Sequence, residues 1–218
     1  DYTAFLDHVG IPSLDMGLNG RGGDGTYHST YDNPTWFKKY IDPGFKYSVL
    51  AAQVTGVALL RLADADVLPF DYEAYGRQIL EYVGEIEDLA ATSSADGAKR
   101  IDFAGLRAAA DAFTAAGVSA RARADALLSA PDAAAIARLN QTLMRVERDL
   151  IEPAGLPDRP WYRHVIYAPG LYTGYGVKTI PGVREAIDAA NFTRAAEQAQ
   201  VVIRALQRAA RTLRGEGS

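Results

Sequence analysis

The 218-residue sequence contains no cysteine. Disulfides, thiolate catalysis and cysteine-ligated metals are thereby excluded, so a metal centre would need histidine and carboxylate ligands. Histidine is itself scarce. The three present, His8, His28 and His164, have no metal-ligand spacing between them, and the chain holds no HExxH, HxH or Glu-Glu pair. No apolar run approaches the ~18 residues of a membrane-spanning helix. Positive charge is not in excess: the formal net charge is −4, which argues against a nucleic-acid-binding face. An initiator methionine and a basic leader are also missing. The opening DYTAFLDHVG reads as a start inside a longer protein.

What is present is an ordinary globular composition, with 48% hydrophobic and 23% charged residues. The length suits one large domain or two small ones. The texture changes near residue 34. Residues 1–33 hold glycines at 10, 17, 20, 22, 23 and 25. Within them, residues 3–9 can form a short helix closed by Gly10, and residues 11–16 a short strand, followed by a flexible glycine-rich loop. Too little is there for a core, and the stretch reads as βα remnants of a larger α/β domain.

Beyond it the chain is helical. Asp32 or Asn33 can cap a helix with Pro34 in its first turn, Pro43 breaks or kinks it, and a second run extends from Phe45 to about Ala65. Residues 67–71 form a joint. Tyr72, Tyr75, Ile79, Tyr82, Ile86 and Leu89 make one apolar stripe. Residues 91–100 read as a loop. A third helix begins near Asp102, with Gly117 as a bend, and 129–132 divides it from a fourth carrying Ile136, Leu139, Leu143, Val146 and Leu150. A long irregular segment, about 152–181, is rich in proline, glycine and tyrosine, and segments of this kind are functional or packed on a neighbour. The chain closes with 183–190 and a helix over about 193–214. Long amphipathic helices with short links imply an antiparallel bundle. Leu80, Val83, Ile203 and Leu213 exceed what one stripe needs and are expected to supply an oligomer face.

Few motifs carry chemistry on spacing alone. His28, in Gly25-Thr26-Tyr27-His28-Ser29-Thr30-Tyr31-Asp32-Asn33-Pro34, is either a metal ligand or a hydrogen-bonded loop histidine. Tyr27 is either a donor to a developing oxyanion or a packing residue. Asp158-Arg159-Pro160-Trp161-Tyr162-Arg163-His164 either lines a pocket or pins its loop by an ion pair and stacked rings. The arginines at 121 and 123 read as a solvated helix face. Asn140-Gln141-Thr142 and Asn191-Phe192-Thr193 fit the glycosylation sequon.

Two segments add a resemblance. Tyr27-His28-Ser29-Thr30-Tyr31-Asp32-Asn33-Pro34, continued by Asp42-Pro43-Gly44-Phe45-Lys46-Tyr47 and Val67-Leu68-Pro69-Phe70-Asp71, is one. Gly155-Leu156-Pro157-Asp158-Arg159-Pro160-Trp161-Tyr162-Arg163-His164-Val165-Ile166-Tyr167-Ala168-Pro169 is the other. Together they resemble the C-terminal third of the glutamate carboxypeptidase family, the prostate-specific membrane antigen-like zinc peptidases, whose helical domain is shared with the transferrin receptor. The resemblance implies a two-zinc peptidase site in which His28 is one metal ligand, with the remaining ligands and the general base upstream. It implies that Tyr27 faces the tetrahedral intermediate and that Tyr175 contacts the substrate's C-terminal residue. Gly174, Asp15 and Gly17 stand where glutamate-specific members carry cations, which points to a broader peptidase.

The resulting expectation is a mainly α chain: a four-helix-bundle-like dimerisation domain over 67–218, preceded by an α/β peptidase remnant over 1–66. The function expected is that of a fragment of a co-catalytic two-zinc exopeptidase, inactive alone and not expected to hold zinc by itself. Its expected partners are a second copy, the upstream peptidase domain and a peptide substrate, without nucleic acid. The compartment is left open, with an extracytoplasmic one favoured. The alternative is a non-catalytic, transferrin receptor-like binding or scaffold protein, which has no need of His28.

Overall fold

The computed structural model describes residues 2–18, 25–174 and 176–216. The chain forms two compact units, Asp1–Ser13 with Asp66–Ser218, and Leu14–Ala65.

In the larger unit the helix starts are written in the caps. Asp71, Asp102 and Asn191 each accept from the main-chain N–H three residues on, at 2.8–3.0 Å, and Asp132 accepts from Ala134 and Ala135. Each such cap contributes about 1 kcal/mol. They open α4 (Tyr72–Ser93), α6 (Phe103–Ser129), α7 (Ala133–Asp149) and α9 (Phe192–Arg214), which with α8 (Pro181–Asp188) build the bundle. Helix α4 lies on α6, α6 on α9, and α7 and α8 pack on α9. Ile79, Val83, Ile86, Leu106, Phe113, Val146, Leu206 and Leu213 are fully buried between them. The chain is therefore mainly α, as expected.

Several local expectations need correction. Residues 91–100 are not a loop: α4 runs to Ser93, and Ser94 caps a short α5 (Ala95–Ala98). Gly117 does not interrupt α6. A Cβ there would lie 2.5–2.9 Å from the main chain of Tyr72 and Glu73, so this glycine permits a close helix crossing. Val83, Ile203 and Leu213 are core residues and add nothing to an outer face, while Leu80 packs partly buried against the core. Arg121 pairs with Asp71 and Glu73, and Arg123 donates to the carbonyl of Leu213.

The segment after α7 is pinned rather than irregular. Antiparallel bridges join Ile151 to His164 and Leu156 to Arg159. Strands β1 (Tyr167–Pro169) and β2 (Val177–Thr179) pair antiparallel, with Tyr167 opposite Thr179. Arg159, 2% exposed, is ion-paired with Glu185 of α8 at 3.0 Å and lies over the Tyr162 ring. Of residues 158–164, Arg159 thus pins the loop as one reading has it, while Asp158 also lines a cleft. Asn140 fixes the joint before α4, because its side chain accepts from Leu68 N–H and donates to Asp66 O.

Helix α1 (Thr3–Val9) ends at Gly10, whose φ of 64° is left-handed. The expected strand at 11–16 is absent, and these residues have no pairing partner among the described strands. In the smaller unit, Asn33 caps α2 (Pro34–Trp36), which continues as a π-helical turn over Phe37–Ile41. Asp42 ends that turn. Its carboxylate accepts from the N–H of Tyr47 and Ser48 and from the Ser48 hydroxyl, which starts α3 (Lys46–Ala63). Helix α3 is apolar nearly all round, yet it buries no residue: Val49, Leu50, Val54, Val57 and Leu60 are exposed.

Candidate functional site

The loop before α2 is organised by short hydrogen bonds. Ser29 closes a turn onto Thr26 O through both its N–H (3.0 Å) and its hydroxyl (2.7 Å). The Ser29 hydroxyl in turn accepts from Tyr31 N–H, and Asp32 accepts from His28 N–H at 3.3 Å. His28 has φ 60°, a conformation that costs a non-glycine residue about 1–2 kcal/mol. The consequence is that the Tyr27 and His28 rings stack at 3.8 Å and both stay exposed, Tyr27 at 66%. The Trp36 ring meets those of Tyr31 and Tyr40 in tilted pairs at 4.6 and 4.4 Å.

An exposed imidazole on a strained turn fits one position of a metal's coordination shell. It is not a site by itself. No group of three or more His, Cys, Asp or Glu side chains able to hold a metal occurs among the described residues. His8 rests against the Tyr162 ring at 5.0 Å, and His164 is wholly buried. Tyr175 lies outside the described residues. Near it, Gly174 has φ 58° with open space around it, and Tyr172 is exposed. A cleft of about 460 Å³ lies between the β1–β2 connection and α8, lined by Tyr172, Lys178, Glu185, Asp188 and Arg194 among others. Asp15 and Gly17, in the smaller unit, are exposed.

Sequence reasoning missed a buried polar network. Nδ1 of His164 accepts from the N–H of Ile166 (3.3 Å) and Tyr167 (3.1 Å), which puts the ring proton on Nε2, 2.9 Å from Glu147 Oε1. Tyr75 also donates to Glu147, and burial together with that carboxylate raises the Tyr75 phenol well above its ordinary range. Tyr167 stacks on Tyr75 and meets the Tyr82 hydroxyl. Asp7 of α1 is buried with neither carboxylate oxygen hydrogen-bonded. Nothing in the spacing points to it. By side-chain type Phe5 and Val9 would be the inward side of α1, but these two are exposed and Asp7 is not.

The fold defines the class: a helical-bundle domain with a pinned loop and an attached helical unit. Residues 101–214 match the transferrin receptor-like dimerisation domain, and the chain belongs to that family. It is 37% identical over 223 residues to the probable glutamate carboxypeptidase LAMP1 of Arabidopsis thaliana, covering 99% of this chain and 31% of that protein. It is 40% identical over 207 residues to a probable glutamate carboxypeptidase of Arthroderma benhamiae, covering 90% of this chain and 27% of that protein. Against the aminopeptidase NAALADL1 of Mus musculus the identity is 29%, over 98% of this chain and 30% of that protein. The resemblance drawn from the motifs is thus borne out, and the chain spans less than a third of these relatives. Among the described residues, no helix is long and apolar enough to cross a membrane.

Proposed function

We propose that this chain is part of a co-catalytic two-zinc exopeptidase of the carboxypeptidase kind, to which it supplies the dimerisation bundle, one zinc ligand and part of the substrate pocket. The observation carrying this reading is similarity over 99% of the chain to a probable glutamate carboxypeptidase more than three times its length. The division at residue 66 belongs to the same proposal, with 1–66 completing a peptidase domain and 67–218 forming the dimerisation domain. Helix α3 supports it independently: an all-round apolar helix normally lies inside a larger core, and here nothing in it is buried.

The roles follow from the side chains. A zinc pair would supply an activated water and polarise the scissile carbonyl. His28 would hold one coordination position, presented outward by its left-handed turn. The Tyr27 hydroxyl, kept exposed by the ring stack, would donate to the oxygen that gains charge. Tyr175 would contact the terminal residue of the peptide. Gly174, Asp15 and Gly17 provide no cation for a glutamate side chain, so the reading favours broad terminal specificity. An extracytoplasmic location belongs to the proposal as well.

The test uses the full-length protein with peptides ending in Glu, Ala and Leu. Hydrolysis should need zinc, show no hundredfold preference for Glu, and fall at least about 100-fold in His28→Ala. The secondary structure of that variant, read by far-ultraviolet circular dichroism, should be unchanged, because His28 is exposed in this chain. Undiminished hydrolysis in His28→Ala would remove it from the metal site. No hydrolysis by the zinc-loaded wild type would favour a non-catalytic scaffold.

A further inference from the structure

Asp7 sits where a carboxylate is least expected. It is 0% exposed, and neither oxygen has a hydrogen-bond partner. A buried, unpartnered carboxylate is costly once ionised. Around it, the docking of α1 is otherwise well made. The Asp7 carbonyl accepts from the N–H of Arg163 (2.8 Å) and His164 (3.1 Å). Gly10 seats against the end of α7 so closely that a Cβ would lie 2.8–2.9 Å from Ile151, Arg148 and Glu147. Main-chain bonds and close packing hold the helix, while the side chain between them opposes it whenever it is charged.

We propose that α1 is a pH-responsive latch, docked on the 163–164 segment while Asp7 carries its proton and loosened when Asp7 ionises. The titratable and charged groups on the surrounding elements are His164 and Arg163 in the segment beneath, Glu147, Arg148 and Asp149 at the end of α7, His8 on α1 itself and Tyr167 on β1. Of these, only His164 acts appreciably on the carboxyl, and its electrostatic influence lowers the pKa. It cannot act as a hydrogen-bond partner, because Nδ1 is taken by two main-chain N–H groups and Nε2 by Glu147. Burial is the larger influence, and Asp7 is pushed up to about 6 from 3.8.

The sign follows from linkage. The docked value lies above that of the released segment, so docking is fully stable below about pH 4. It weakens as the pH rises toward about 6 and stays weak above that.

Hydrogen exchange on the full-length protein tests this, following peptides that cover 2–10 and 163–166 between pH 5 and 7.5, corrected for intrinsic rates. Wild-type protection of α1 should fall roughly tenfold across that range, while Asp7→Asn keeps its protection at every pH. A wild type whose protection does not change with pH, or an Asn variant that follows the wild-type curve, would overturn the latch. Should Asp7→Asn fail to fold, the carboxyl-carbon NMR titration of Asp7 in the wild type decides: a midpoint near 6 supports the latch, and one below about 4.5 overturns it.

Discussion

Arg159 illustrates how one residue fixes a segment that no periodic pattern describes. Its guanidinium is buried against Glu185, whose Oε1 also accepts from Leu171 N–H, so one carboxylate ties the 156–162 turns and the β1–β2 connection to α8. Arg194 makes a second ion pair nearby, with Asp158, but both of those side chains are exposed. The two pairs share their chemistry and differ in their access to solvent. Removing one partner of a buried pair leaves an uncompensated charge and costs about 3–5 kcal/mol, whereas an exposed pair is worth about 0–1 kcal/mol. Arg159→Ala should therefore lower stability several-fold more than Arg194→Ala in urea denaturation. Equal effects would mean that the loop is held chiefly by its main-chain bridges. Asp7 obeys the same rule with the opposite outcome, since burial without a partner makes it a weakness that changes with pH.

At the scale of elements, legibility follows how local the cause is. Helix starts are readable because an Asp or Asn cap acts on N–H groups two or three residues away, and Asp71, Asp102, Asp132 and Asn191 all do so. Gly10 is readable for the same reason. Gly117 is not, because its role depends on the main chain of Tyr72 and Glu73, some forty residues earlier. The 151–180 segment is opaque because its three-residue strands carry no alternation and its anchor, Glu185, lies on the next helix. The candidate site divides in the same way. The turn around Tyr27 and His28 is built locally, but a metal centre needs several distant ligands, and spacing alone leaves both residues with two readings. The crossing of α4 and α6 yields a clear prediction. Gly117→Ala puts a methyl group 2.5–2.9 Å from the main chain of Tyr72 and Glu73, although alanine is the better helix former by about 1 kcal/mol. Steric conflict with main chain should win, giving a net loss of about 1–3 kcal/mol. Gly84→Ala in α4 meets no atom closer than the Arg107 side chain at 3.9 Å and should be neutral or stabilising. Thermal melts of the two variants separate the effects, and a stabilised Gly117→Ala would show that the crossing has slack.

At the scale of the whole molecule, the question is how the bundle pairs. Membership of the dimerisation-domain family makes a two-fold homodimer the expected assembly. The apolar residues that the sequence pattern nominates for it, Val83, Ile203 and Leu213, are committed to the core. Those left exposed on the bundle helices include Val118 and Leu128 on α6 and Met144 on α7. A two-fold interface uses one patch twice, so a modest number of apolar side chains suffices, and obligate dimers commonly bury more than about 2,000 Å² in total. The exposed apolar surface of α3 is a competing source of association, since a helix exposing Val49, Leu50, Val54, Val57 and Leu60 can stick without symmetry. Sedimentation equilibrium at micromolar concentration distinguishes the two. The wild-type chain should fit a single dimer, and Val118→Glu combined with Leu128→Glu should shift it to monomer with its helical circular dichroism intact. If the association persists in that variant but disappears when Val54 and Val57 are changed to Glu, then α3 rather than the bundle drives it. A clean wild-type monomer across the range would overturn dimerisation for this chain.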